Sequence, residues 1–170
     1  MQKPMEIKFL QGKGIVEGHL IGGCMDTLEI LKGTSLWPNN KYWEGAILFL
    51  ETSEEKPSID LVTYWLRNYG AQGILQKLKA IIFAIPGGDI SFDDKEYDEK
   101  LKNHLNTFEM YDEALIKVAK EFGREDIPII SHLNFGHTAP MLTIPFGAIM
   151  EINIWGKTVR IKDSGVIEKK

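Results

Sequence analysis

At 170 residues the chain is long enough to bury a real core and short enough to read as a single domain, 1–170. It is 44% hydrophobic and 26% charged with a formal net charge of −4, and no Lys/Arg cluster stands clear of neighbouring acids. That balance argues against a nucleic-acid partner, Lys77, Lys79 and Lys169-Lys170 reading as a solvated face and tail. A single cysteine, Cys24, excludes an internal disulfide and favours a reducing, cytoplasmic setting. No apolar run approaches the roughly eighteen residues of a membrane span, and MQKPMEIKF lacks a signal-peptide core, so no membrane partner is expected.

Short apolar runs from Glu6 to Leu20, punctuated by Gly12, Gly14 and Gly18, predict a hairpin or strand pair entering Gly22-Gly23. The paired glycines either let backbone approach a substrate or partner domain closely or form a tight turn. Asp26 is placed to cap a short helix through Leu31-Lys32, which Gly33 stops. Residues 34–45 read as a loop with Trp37, Tyr42 and Trp43 packed beneath it. Ala46–Leu50 is a buried strand that runs straight into Glu51. Ile59, Val62, Leu66 and Tyr69 repeat at helical spacing after a start at Pro57-Ser58, and Gly70 and Gly73 bracket the end. Ala80–Ile85 is a second buried strand closed by Pro86-Gly87-Gly88. Residues 89–100 read as acidic surface, and Leu101, Leu105, Phe108, Leu115, Val118 and Phe122 trace one face of a long helix ending at Gly123. Ile127–Ile130 and Leu142–Ile144 are strand-like and flank Phe135-Gly136-His137-Thr138. Beyond Pro145, alternation at Ile152, Ile154, Val159 and Ile161, with turns at 155–157 and 163–165, predicts terminal antiparallel strands. Strand–helix–strand order with a β-rich tail is α/β with mixed sheets.

Two positions carry chemistry. Glu51 stands at the end of a buried strand, and His137 sits in a Gly-flanked turn after another. Alone, Glu51 is an acid capping a sheet edge and His137 a turn residue. Together they form two thirds of a nucleophile–base–orienter set, the carboxylate fixing the imidazole tautomer. None of Ser35, Ser53, Ser58, Ser91, Ser131 or Ser164 lies in a nucleophile-elbow context. Cys24 is a thiol that pairs with His137 only if it is not a small buried hydrophobe. His132 and His137, five apart in a turn, make a weak zinc signal, so neither a metal nor another cofactor is expected.

Leu20-Ile21-Gly22-Gly23, Leu31-Lys32-Gly33-Thr34, Ile47–Glu51, Ile59-Asp60, Phe135-Gly136-His137 and Thr143–Gly147 together resemble the C-terminal domain of LD-carboxypeptidases. Trp37-Pro38, Glu51–Pro57, Trp65-Leu66 and Gly136–Pro140 look most similar to the branch that confers microcin C immunity by cleaving the amide-type link between a terminal aspartate and a nucleotide. The resemblance implies a layered β/β/α domain of the swivelling type, with a partly parallel sheet, flanking helices and a second antiparallel sheet. It implies a Ser-Glu-His triad with Glu51 as carboxylate and His137 as base, the serine belonging to a separate N-terminal domain absent from these residues. The implied partners are that domain and a small peptide or aminoacyl-nucleotide substrate, with a symmetric second copy as another candidate partner. Cys24 departs from the Asn that many members carry after the paired glycines, and residues 89–124 exceed the minimal pattern. The face bearing Glu51, Gly22-Gly23 and His137 is then expected to be flat and apolar, with Leu133 or Phe135 among its contacts. The competing reading is a stand-alone, non-catalytic binding module.

Overall fold

Four near-continuous apolar runs demand burial on both faces, and the chain meets that demand by pairing them side by side in the middle of a sheet. The computed structural model describes residues 6–87, 93–138 and 141–163. In chain order the elements are β1 (Lys8–Gln11), β2 (Ile15–Cys24), α1 (Met25–Leu31), β3 (Ile47–Glu51), α2 (Ile59–Ala71), β4 (Ala80–Ala84), α3 (Tyr97–Glu121), β5 (Ile129–Leu133), β6 (Ile149–Asn153) and β7 (Thr158–Ile161). They form one seven-stranded sheet in the order β1-β5-β4-β3-β2-β6-β7. The β2-β3-β4-β5 block is parallel, while β1 on β5 and β6-β7 on β2 are antiparallel.

The two faces of the sheet are covered differently. Ile21, Leu48, Leu50, Ile81, Phe83 and Ile129 point to a core shared with all three helices. Their alternates Leu20, Ile47, Phe49, Ala80, Ile82 and Ile130 point to a second core closed by Met150 and Ile152 of β6. Helices therefore cover one face and the antiparallel return covers the other, as the layered β/β/α expectation requires. The antiparallel part is continuous with the parallel part through β2, whose residues 15–19 pair with β6 and 20–24 with β3. The sheet must also curl. β1 and β2 are four strand spacings apart, about 19 Å if flat, yet four residue steps from Gln11 to Ile15 reach at most ~14 Å.

Several sequence expectations need correcting. β1 and β2 do not pair as a hairpin, because β1 joins β5 at the far edge. Residues 142–144 form no strand: Leu142 donates to Asn134 O at 2.6 Å, and the chain bonds β2 only further on, at Gly147 and Ala148 against Leu20. Gly22-Gly23 is not a turn but lies in β2. Cys24 occupies the N-cap of α1, with Asp26 inside the first turn. Trp43 is buried and Trp37 packs on the core, their indole N–H groups donating to Pro38 O and Gln72 Oε1, but Tyr42 faces solvent. The long helix starts at Tyr97, four residues before Leu101, so residues 97–100 are helical. Gly88, residues 89–92 of the acidic stretch expected at 89–100, Ala139-Pro140 and everything from Ser164 onward, including Ser91, Ser164 and Lys169-Lys170, lie outside the described residues.

Candidate active site

The parallel block brings the carboxyl ends of β2, β3, β4 and β5 to one edge, the usual place for ligands in open α/β sheets. Glu51 is the last residue of β3 and lies in register with Cys24 at the end of β2. His137 follows β5 by four residues. Between those strands, Gly87 follows β4 and its amide donates to Thr52 O at 3.3 Å. Sheet order alone therefore gathers residues from four separated segments.

His137 Nδ1 lies 2.6 Å from Glu51 Oε2. The Glu51 side chain is only 9% exposed, whereas the imidazole is 36% exposed, so the pair has a buried end and an open end. The open nitrogen, Nε2, has Glu54 Oε2 at 3.7 Å. The Glu51 hydrogen bond raises the His137 pKa above the ordinary histidine value, a rise that partial burial opposes and the charges of Glu51, Glu54 and Asp26 reinforce. With Nδ1–H donating to Glu51, the neutral tautomer leaves the Nε2 lone pair free to accept a proton.

Local backbone makes this contact fit. Gly136 has φ +82°, and a Cβ there would stand 2.6 Å from Glu51 Cγ and 2.7 Å from Oε2. Only glycine lets the turn settle onto the carboxylate. Gly87 plays a related part, since a Cβ would come within 3.0 Å of both Glu54 N and His137 Cβ. At Gly22 a Cβ would fall 1.7 Å from Phe49 O, whereas at Gly23 it would meet open space. Gly22 thus serves strand packing, while half-buried Gly23 leaves open space above its Cα.

Sequence reasoning singled out Glu51, His137 and the glycine pair, and missed the supports. Asp26 Oδ2 accepts from the Ser53 amide at 3.2 Å, tying α1 to the chain leaving β3. His104 on α3 bonds Pro86 O at 2.8 Å, tying down the exit of β4. Neither carries a local signal, because both depend on which loops the topology stacks together. Cys24 Sγ donates to Asp26 Oδ2 at 3.4 Å, and burial with the neighbouring Glu51 charge pushes its thiol pKa up, away from a reactive thiolate. His132 is turned to Asp112 Oδ2 at 3.5 Å rather than toward His137. Among the described residues no group of three or more His, Cys, Asp or Glu is arranged to hold a metal ion, and no helix is long and apolar enough to cross a membrane.

Leu133 and Phe135, expected on the exposed face, are each 3% exposed and belong to the second core. Met141, Leu142 and Phe146 supply the exposed apolar margin instead, Phe146 meeting Phe49 edge-on at 5.9 Å. A cavity of about 650 Å³ lined by Lys13, Lys79, Arg124 and Pro128 lies at the opposite, amino-terminal edge of the parallel strands. Its arginine is already engaged by Asp126 and the Leu75 and Leu78 carbonyls.

The LD-carboxypeptidase C-terminal domain matches residues 17–152 of the chain. Over 159 residues, 94% of this chain and 40% of the other, it is 26% identical to the microcin C7 self-immunity protein MccF of Escherichia coli. Among solved structures, an MccF-like protein of Streptococcus pneumoniae in complex with AMP is 25% identical with a TM-score of 0.69, covering 95% of this chain and 45% of that one. MccF in complex with aspartyl sulfamoyl adenosine is 26% identical with a TM-score of 0.68, covering 92% and 41%. The chain thus spans less than half the length of these relatives.

Proposed function

The chain belongs to the LD-carboxypeptidase family through its C-terminal domain, and we propose that it supplies the carboxylate and the base of a serine carboxypeptidase whose nucleophile resides in a second domain. The observation that carries this reading is the 2.6 Å His137–Glu51 bond at the carboxyl edge of the sheet, with the other ring nitrogen on the open side. Among the described residues both ring nitrogens of His137 face carboxylates. As the resemblance to the family implies, the serine is assigned to the part of the relatives that this chain does not span. The exposed Met141, Leu142 and Phe146 supply an apolar margin for that domain to cover.

In the assembled enzyme His137 Nε2 takes the proton as the serine oxygen attacks the scissile carbonyl, then returns it to the leaving amine. Glu51 holds Nδ1–H and stabilises the imidazolium formed in between. The open space over half-buried Gly23 lets its backbone contact the bound substrate. The substrate is an LD-peptide or an aminoacyl-nucleotide amide of the kind cleaved in microcin C immunity. The bound AMP and aspartyl sulfamoyl adenosine in the MccF-type structures favour the second.

The test is hydrolysis of an LD-dipeptide amide and of an aspartyl-adenylate analogue. The purified chain alone is expected to cleave neither. Supplied with a serine-bearing family domain, it is expected to cleave one of them and to lose that activity on His137→Ala. His137-dependent cleavage by the chain alone would overturn the division of labour and return attention to Cys24 through Cys24→Ala.

A further inference from the structure

His132 combines features that belong to no ordinary strand residue. Its φ is +62° although it lies within β5, whereas the other two non-glycine residues with positive φ among the described residues, Lys56 and Lys157, lie outside the strands. At the same place the register slips: Ile82 pairs with Ile130 and Ala84 with Leu133, so two steps along β4 oppose three along β5. One extra residue with a left-handed member is the signature of a β-bulge.

The slip changes which way the chain faces. In a regular strand residues 129, 131 and 133 share one face and 130 and 132 the other. Here Ile129 faces the helices and Ile130 the second core, but Leu133 joins Ile130, and His132 meets Asp112 of α3 on the helix side. A one-residue shift sends every following side chain to the opposite face. Phe135 consequently packs edge-on against Phe49 at 6.0 Å, two residues before Glu51 on β3. Gly136 then lies on the Glu51 side chain, and His137 reaches it at 2.6 Å.

We propose that His132 is a positioning residue of this site: the bulge held by its left-handed backbone turns Leu133 and Phe135 into the second core and so delivers His137 to Glu51. Asp112 at 3.5 Å, itself bonded by Lys8, holds the side chain of the bulged residue against α3. The proposal takes Glu51–His137 as the catalytic pair. Its test reads the geometry of that pair rather than hydrolysis, so a failed activity assay and a failed positioning role are separable.

The experiment is NMR titration of the four histidines in the 170-residue chain, with the downfield Nδ1 proton of His137 as the signature of its bond to Glu51. His132→Gly keeps the left-handed backbone without an imidazole and is expected to leave His137 titrating above the ordinary value. His132→Val resists positive φ and is expected to bring His137 down to about 6.5 and bleach the downfield proton. A folded His132→Val with an unchanged His137 titration would overturn the proposal, as would His132→Gly losing as much as His132→Val. If His132→Val does not fold, His132→Ala replaces it: a shift between wild type and free histidine supports the role, and identity with His132→Gly overturns it.

Discussion

His132 and His137 are five residues apart on the same strand exit, each faces a carboxylate, and their environments pull in opposite directions. His137 has an open side and a short bond to a buried acid, so its protonated form is favoured. His132 is buried against α3, and desolvation outweighs the attraction of Asp112 and Glu109, with Lys8 adding repulsion, so its protonated form is disfavoured. A carboxylate neighbour does not by itself decide the charge of a histidine. Access to water does, and here it separates a group suited to moving protons from one suited to holding a strand.

The sharpest way to break the contrast is at the acid. Glu51→Gln keeps the shape but loses the charge that fixes and stabilises the imidazolium. In an enzyme completed by a serine-bearing domain, kcat should fall by roughly 10³–10⁴, and in the chain alone the raised His137 titration should disappear. Asp112→Asn is expected to leave that titration in place.

Gly136→Ala comes next. A Cβ at 2.6 Å from Glu51 and a φ of +82° combine overpacking with backbone strain, a destabilisation of about 2–4 kcal/mol in denaturant unfolding. Gly33→Ala, at φ +84° with no atom within 4 Å of the new Cβ, should lose only the strain, about 1–2 kcal/mol.

Asp26→Ala removes the acceptor for the Ser53 amide and should cost about 1 kcal/mol. Its diagnostic readout is faster hydrogen exchange at Ser53, with the amides of β5 unaffected.

The smallest effect is the most specific. His137 has a raised pKa in the fold, so its contribution to stability is full below about pH 6.5 and is lost as pH rises through the raised value. His132 has a lowered pKa, so its contribution is full above about pH 6.5 and is lost as pH falls toward the folded value. Unfolding free energies measured across this range should show His137→Gln losing an advantage on the acid side. His132→Gln should flatten the acid-side decline. Slopes of the same sign would dissolve the contrast.

Much of this was legible in the sequence for a simple reason. Buried parallel strands are apolar runs, and a charged residue ending such a run, as Glu51 does, marks a strand mouth. His137 was legible because Gly136 marks the turn that carries it. The resemblance of the whole chain to a family then gave the layered arrangement. What stayed hidden was non-local. The β1–β2 pairing was misread because adjacent runs usually pair, whereas here β1 closes the far edge of a curled sheet. Leu133 and Phe135 were expected on the uncovered site face because that face was read as an interface, whereas the bulge turns both into the second core, and histidine does not announce positive φ. Residues 142–144 have strand composition, but composition does not say which edge a segment meets, and here Leu142 bonds the loop residue Asn134 instead.

The position of β4 between β3 and β5 has a kinetic consequence. Glu51 and His137 are 86 positions apart, and the strands carrying them never pair with each other. Their meeting waits until β4 has zipped along both of its edges, after two crossover segments have surrendered their freedom. Helices can form on their own timescale long before that. Chemical competence therefore arrives as a late, all-or-none property of refolding. The His137–Glu51 signature should trail the recovery of helical circular dichroism, and a nascent chain truncated before β5 would carry an acid with no base to serve.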